Sequence, residues 1–459
     1  HWWIAAHLAR TGLYVDPMSL MTQGSWLPGY YPVGAALFDL FNWGALDALR
    51  WISLAASLGT LVLVFLVARP RGLLAAGFAG LFYALVIQDA LVASMALPES
   101  LVVVCVFGGA YLLFRENPFR GRTKLVATSL LLLAAVSLRY EAWVAVALLP
   151  MWAWRMRQTW LRTSFLVVSP SAFFALAWIL VLLPMGFLPS IVFGQTAREA
   201  QNQIALGTLP TNPLARVWTF WFDNYAVGLL PMFLVGPAYM IVRERGDYGT
   251  WLALAMFLGV TALVGLGGGT GSYRYLAIAV PFLAVSSGRG VDALLRRAPH
   301  LIPRVRGSPR AARVVIAAAA LALVAASAAN AAWITPRLDG IGQLNNPVRR
   351  AGEWIAAHPM PDGASLLSDS PIATYYAHVD PARAWSSWWL PDNRTDALAV
   401  LKADYAYVVF VNVSYYPLRL LFPELAAGRD TADFTLAFDP NGWELQYGAK
   451  AVYVYAPRP

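Results

Sequence analysis

Ten runs of predominantly apolar residues, set apart by short connections, constrain this chain more than anything else in it. They cover roughly residues 51–68, 73–88, 98–114, 125–138, 142–154, 164–188, 225–242, 251–266, 275–287 and 314–334. Inside a bilayer every backbone amide needs a partner within the protein, and a helix of about 20 apolar residues provides this across the hydrocarbon core. The composition agrees: 59% of residues are hydrophobic and 13% charged, against about 25% charged in an ordinary soluble domain. The expectation is a polytopic α-helical membrane protein with about ten spans, and eleven if one more precedes His1.

The connections orient these spans. Taken alternately, those holding Arg69 and Arg71, residues 115–124, residues 155–162, Arg243 with Arg245, and residues 289–313 contain 18 Arg and Lys, against 6 on the other side before residue 336. Arg and Lys accumulate on the cytoplasmic side, so the first set is predicted inside and residues 1–50 outside. The net charge of +9 follows the same division, with 24 basic and 12 acidic side chains up to residue 335 and 10 and 13 beyond it. Basicity distributed this way reflects topology and gives no reason to expect a nucleic-acid partner. The linker 304–313 reads as a positive-inside signal touching anionic membrane lipid. A single cysteine, Cys105, rules out an intrachain disulfide and a cysteine-based metal site.

Residues 1–50 hold no run long enough to span. A helix over 1–11 ends at Gly12, and Pro32 opens a second short helix, to residue 43, in which Asp39 and Asn42 share a face. Their density of Trp, Tyr and Gly predicts interfacial helices in the first outer loop of the membrane domain. Residues 51–335 form that domain. From residue 336 the composition becomes mixed, with helical patterns at 348–357 and 395–402 and strand-like 365–368, 405–411 and 451–455. A small extracytoplasmic α/β domain is expected over 336–459. The Gly-rich run 267–272 reads as a tight turn, because it lacks the strand-before, helix-after setting of a nucleotide loop.

The outer face gathers few charges, which makes each informative. Glu99 follows Pro98 at a helix start, where a carboxylate complements the helix dipole or serves chemistry. Arg139-Tyr140-Glu141 joins two unusually short runs, so it should lie below the surface, as a structural ion pair or as part of a site. Arg274 opens a late run, either snorkelling or binding. Two carboxylates and two guanidiniums at one level suit a phosphate-bearing substrate, since guanidinium grips phosphate bidentately and a carboxylate can accept a hydroxyl proton. His1 and His7 do not share a helix face, so no metal site is expected, and a divalent cation on carboxylates is not indicated.

Several blocks then resemble a known family. HWWIAAHLARTGLY, GYYPVGAALFDLFNWGALDALR, ALPESLVVVCVFGGAYLLFR, SLRYEAW and GSYRYLAIAVPFL, in this order before a soluble outer tail, look like the GT-C superfamily of polytopic glycosyltransferases. The branches most similar are those using polyprenyl-phosphate sugars, such as protein O-mannosyltransferases and aminoarabinose transferases. The resemblance implies a second acidic site residue at Glu99 and donor phosphate contacts from Arg139 and Arg274. Tyr31, Asp39, Tyr140 and Glu141 are candidate substrate contacts in the same blocks. The family's principal catalytic acid corresponds to a position ahead of His1. Its double proline is reduced here to Tyr31-Pro32.

The resemblance therefore implies a multi-pass enzyme of the cytoplasmic (inner) membrane. It would move a monosaccharide from a polyprenyl-phosphate donor to a glycan, lipid or protein acceptor on the outer face, with no cofactor. Two other classes fit the composition: a transporter or flippase of an anionic lipid-linked substrate, and an inactive scaffold. A transporter is expected to carry paired repeats, and none is visible.

Overall fold

A computed structural model describes residues 2–12, 27–86, 97–114, 121–155, 161–183, 210–225, 230–266, 273–301, 345–413, 416–447 and 450–458, with isolated positions elsewhere. The helices in chain order are α1 (Trp2–Thr11), α2 (Tyr30–Phe41), α3 (Ala45–Ala68), α4 (Leu73–Ala84), α5 (Glu99–Phe114), α6 (Gly121–Leu138), α7 (Glu141–Arg155), α8 (Leu161–Leu182), α9 (Pro213–Tyr225), α10 (Leu230–Arg243), α11 (Tyr248–Gly265) and α12 (Val280–Leu301). Among the described residues, four helical stretches are long and apolar enough to cross a membrane: Tyr30–Arg71, Gly121–Leu138, Arg162–Val181 and Tyr248–Gly265. In the predicted run 314–334 the described positions, 314–315, 317–319, 321–322, 325–326, 328–329 and 332, are helical, whereas the turn 267–272 lies outside the described residues.

The chain divides into two compact units, one of residues 24–30 and 47–334, the other of residues 1–23, 31–46 and 335–459. The sequence boundaries at 50 and 335 follow the chain, whereas packing groups the opening helices with the tail.

In the helical unit, α4 packs on α12, α12 on α10, α5 on α6, and α6 on α8. Gly288 shows how close the first pair comes: a Cβ there would meet the Ala75 carbonyl at 2.4 Å and Ala79 N at 2.5 Å. This contact corrects one boundary. The run predicted over 275–287 was ended by the polar Ser287-Gly288-Arg289, yet α12 begins at Val280 and continues to Leu301. The glycine is a packing notch, and Arg289, 5% exposed, is neutralised inside the bundle. Its Nη1 donates to Glu244 and its Nη2 to the Val67 carbonyl at 2.8 Å. Trp152 Nε1 donates to the Gly246 carbonyl at 3.1 Å, and Phe114 lies edge-on to Trp152 at 5.1 Å. Residues at or next to all five connections predicted to share a side thus meet at one end of this unit, which agrees with the charge alternation.

The second unit is built on a five-stranded sheet of β1 (Ser365–Ser368), β2 (Ala384–Trp385), β3 (Tyr405–Val411), β4 (Phe434–Phe438) and β5 (Val452–Pro457), in the order β2-β1-β3-β5-β4. β1 pairs parallel with β2 and β3, and β5 pairs antiparallel with β3 and β4. Around it lie α13 (Asn346–Ala357), α14 (Pro371–Tyr376), α15 (Arg394–Asp404) and α16 (Pro417–Leu421). The expected tail elements are all present within a few residues. β2 and β4 escaped the sequence pattern, the first for being two residues long and the second for its part-exposed Leu436 and Phe438. Asp369, just past β1, accepts hydrogen bonds from Ser387 N at 2.7 Å and Ser387 Oγ at 2.8 Å, tying the turn after β2 to the end of β1. Burial raises its carboxyl to about 6, against the lowering effect of the Ser387 bonds.

The opening helices complete this unit. α1 packs on the turn Pro381–Arg383, where His7 Nδ1 donates to the Pro381 carbonyl at 3.3 Å and its ring meets Trp385 edge-on at 5.0 Å. Trp3 and His7 are therefore buried in protein. The large apolar side chains exposed on α2 are Val33, Leu40 and Phe41. Trp43 stacks on the His378 ring at 5.1 Å.

Candidate active site

At the end of the helical unit opposite Arg289, three chain segments bring charges together. Pro98 leads into α5, whose first helical residue is Glu99, with the ladder starting from Val102 N to the Pro98 carbonyl at 3.0 Å. Arg139 ends α6 with its amide still on the Ala135 carbonyl at 3.1 Å, and after Tyr140 the chain starts α7 at Glu141. Arg274 sits in the 3-10 turn Tyr273–Leu276, ahead of α12. A close approach holds the α6 end in place. Gly29 N donates to the Ser137 carbonyl at 2.9 Å, and a Cβ on Gly29 would come within 2.3 Å of Ser137 Oγ.

Glu99 is the hub. Its Oε1 lies 3.3 Å from Arg139 Nη1 and 3.4 Å from Arg274 Nη1, and its side chain is 3% exposed. Both of its oxygens are buried, and neither makes a hydrogen bond among the described residues. Arg139 faces Glu141 with its other edge, Nε to Oε2 at 3.0 Å and Nη2 to Oε1 at 2.5 Å. The buried Glu99, the part-buried Glu141 and the two guanidiniums are formally neutral together, and each offsets the others' desolvation. Among the described residues no group of three or more His, Cys, Asp or Glu could hold a metal ion.

The residues singled out from sequence thus divide. Glu99, Arg139, Glu141 and Arg274 converge. Tyr140 adjoins them, its hydroxyl accepting from Trp178 Nε1 at 3.1 Å and its ring edge-on to Trp143 at 5.1 Å. Tyr31, 1% exposed, and Asp39, on the exposed face of α2, belong to the unit formed with the tail. Sequence reading overlooked Tyr30, which is within electrostatic reach of Glu99 and hydrogen bonds Ser53, whose Oγ also donates to the Leu97 carbonyl at 3.2 Å. Arg216 is a buried helix cap: it donates to the Val264 carbonyl at 3.2 Å and the Gly265 carbonyl at 2.5 Å at the end of α11.

No protein-family model and no curated protein matches the chain. Solved structures do. ArnT from Cupriavidus metallidurans in the apo state aligns over 99% of this chain and 92% of its own, at a TM-score of 0.58 and 14% identity. The same protein bound to undecaprenyl phosphate gives a TM-score of 0.59 at 14% identity and the same coverage. The chain shares the fold of these ArnT structures. A third structure extends the likeness. The archaeal oligosaccharyltransferase AglB from Archaeoglobus fulgidus, in complex with an inhibitory peptide and a dolichol-phosphate, covers 94% of this chain and 68% of its own at a TM-score of 0.54 and 12% identity. At these identities the likeness establishes a shared fold, and the chemistry has to be argued from the charges themselves.

Proposed function

We propose that this protein is a glycosyltransferase that takes a monosaccharide from a polyprenyl monophosphate carrier and delivers it to an acceptor hydroxyl at the outer face of the cytoplasmic membrane. The observation that carries the reading is the pair Arg139 and Arg274 held on one oxygen of Glu99, a neighbour each for both arginines. Two guanidiniums fixed side by side among apolar helices match the phosphate of a lipid-linked sugar, which must shed its glycosyl group as negative charge grows on the bridging oxygen. Charge-assisted contacts that strengthen as that charge develops favour the transition state over the bound donor.

Glu99 divides its two oxygens between two tasks. Oε1, the oxygen nearest both guanidiniums, positions the arginines, and Oε2 accepts the proton of the incoming hydroxyl. Attack from the face opposite the leaving phosphate gives inversion at the sugar carbon. The sugar–phosphate bond supplies the leaving group, so neither ATP nor a nucleotide sugar enters. Structural neighbours bound to undecaprenyl phosphate and in complex with a dolichol-phosphate support the lipid-phosphate donor class.

The test is direct. Purified full-length protein is incubated with a radiolabelled polyprenyl-phosphate sugar and candidate acceptors, and label is followed into product. Transfer that is lost in an Arg274→Ala variant supports the reading. Binding of the lipid phosphate with no transfer to any glycan, lipid or peptide acceptor, together with lipid translocation in proteoliposomes, would replace it with a flippase.

A further inference from the structure

The edge of Arg139 that faces Glu141 is the edge with which arginine grips a phosphate. Nε and Nη2 donate in parallel to Glu141 Oε2 and Oε1, at 3.0 and 2.5 Å, which is the fork geometry that a carboxylate and a phosphate share. Glu99 touches a different nitrogen, Nη1. The two carboxylates also differ in their freedom. The Glu99 side chain is 3% exposed and bridges both arginines, whereas the Glu141 side chain is 19% exposed and has the first position of α7, with solvent on one side.

Charge balance points the same way. Glu99, Glu141, Arg139 and Arg274 sum to zero, so a phosphate arriving among them brings an uncompensated negative charge into a desolvated place. Turning Glu141 outward leaves a charge of plus one to meet the single negative charge of a sugar-phosphate diester. After transfer the carrier is a monoester that carries up to two negative charges. A purely basic site would hold that product more tightly than the donor and stall on release.

We propose that Glu141 is a resident competitor for the donor phosphate. It occupies the Arg139 fork, yields it to the incoming lipid phosphate, and takes it back from the product, which sets how tightly the carrier is held. This makes it a positioning residue outside the bond-forming steps. The inference rests on the reading of this cluster as the donor phosphate subsite.

The experiment titrates the purified full-length protein with a polyprenyl monophosphate, as wild type, Glu141→Gln, Arg139→Lys and the double variant. Glutamine keeps the size of the side chain and gives up its charge. It should tighten binding by about tenfold, the size of one charge-assisted contact no longer in competition. Product inhibition should rise by a similar factor while turnover falls. In the Arg139→Lys background the gain should vanish, because lysine keeps the charge and has no fork to vacate. Should Glu141→Gln fold poorly, Glu141→Asp, with the carboxylate drawn back by one methylene, should show a smaller gain of the same sign. A gain that persists on Arg139→Lys would overturn the proposal in favour of a through-space charge effect. So would an affinity for polyprenyl monophosphate unchanged or weakened in Glu141→Gln while Arg139→Lys weakens it, and in that case the donor-site reading would stand. If neither Arg139→Lys nor Arg274→Lys alters binding, the donor-site reading fails and the competitor with it.

Discussion

Glu99→Gln separates chemistry from binding at this site. Each guanidinium lies 3.3 to 3.4 Å from Oε1, and Coulomb's law at an effective dielectric of about 20 gives about 5 kcal/mol per contact. Much of that is offset by the desolvation of a carboxylate only 3% exposed. Glutamine keeps the shape and one acceptor oxygen but deletes the charge. Arg139 and Arg274 are then held less firmly, which weakens donor binding. Against this, a donor phosphate roughly 5 to 6 Å from the former carboxylate is relieved of about 3 kcal/mol of repulsion at the same dielectric. The two effects oppose each other, so donor affinity is expected to stay within about tenfold of native while loss of the proton acceptor lowers turnover by about a hundredfold or more. Calorimetric binding of the polyprenyl-phosphate sugar and single-turnover transfer, on protein whose thermal unfolding matches wild type, give the two numbers. Unimpaired transfer would remove Glu99 from the chemistry. Affinity falling as steeply as turnover would leave it a positioning residue for the arginines.

Arg139→Ala should weaken donor binding and turnover together, by roughly 2 to 5 kcal/mol, and should also lower the unfolding temperature because Glu99 and Glu141 lose a shared partner; donor binding at the native level would contradict this. Asp369 gives a pH signature in the sheet unit. Its folded value of about 6 lies above the ordinary 3.8, so the folded state holds the proton more tightly and stability is gained as pH falls through 6 toward 4 and lost as it rises. The span is up to about 3 kcal/mol, and Asp369→Asn should flatten the slope, read by hydrogen exchange of β1 and the turn at Ser387 in the full-length protein. Gly288→Val should drive α12 off α4, visible as a large loss of folded yield in detergent, since a Cβ already meets Ala75 O at 2.4 Å; a native yield would refute the close packing. Protease added to spheroplasts should cut within 336–459, and the same segment should be protected in sealed inside-out vesicles, the reverse pattern overturning the assigned sides.

What the sequence determined by itself is what depends on local periodicity and solvent. Apolar run length, the bias of 18 basic residues to alternate connections and the alternating strand pattern at 405–411 each report a partition between lipid, water and core that a residue carries wherever its neighbours lie. The helix start at Glu99 and the joint at Arg139 were legible for the same reason, as charges where short apolar runs end. Tertiary structure decided which charges are partners. Residues 99, 139 and 274 are far apart along the chain, and their meeting on one carboxylate oxygen depends on α5, α6 and the turn before α12 being brought together, which no local pattern encodes. The same holds for Arg289 continuing a helix that composition would have ended and for Arg216 capping α11. Each is a long-range contact whose energy arises from desolvation in a particular packed neighbourhood, and that neighbourhood exists only after the chain has folded.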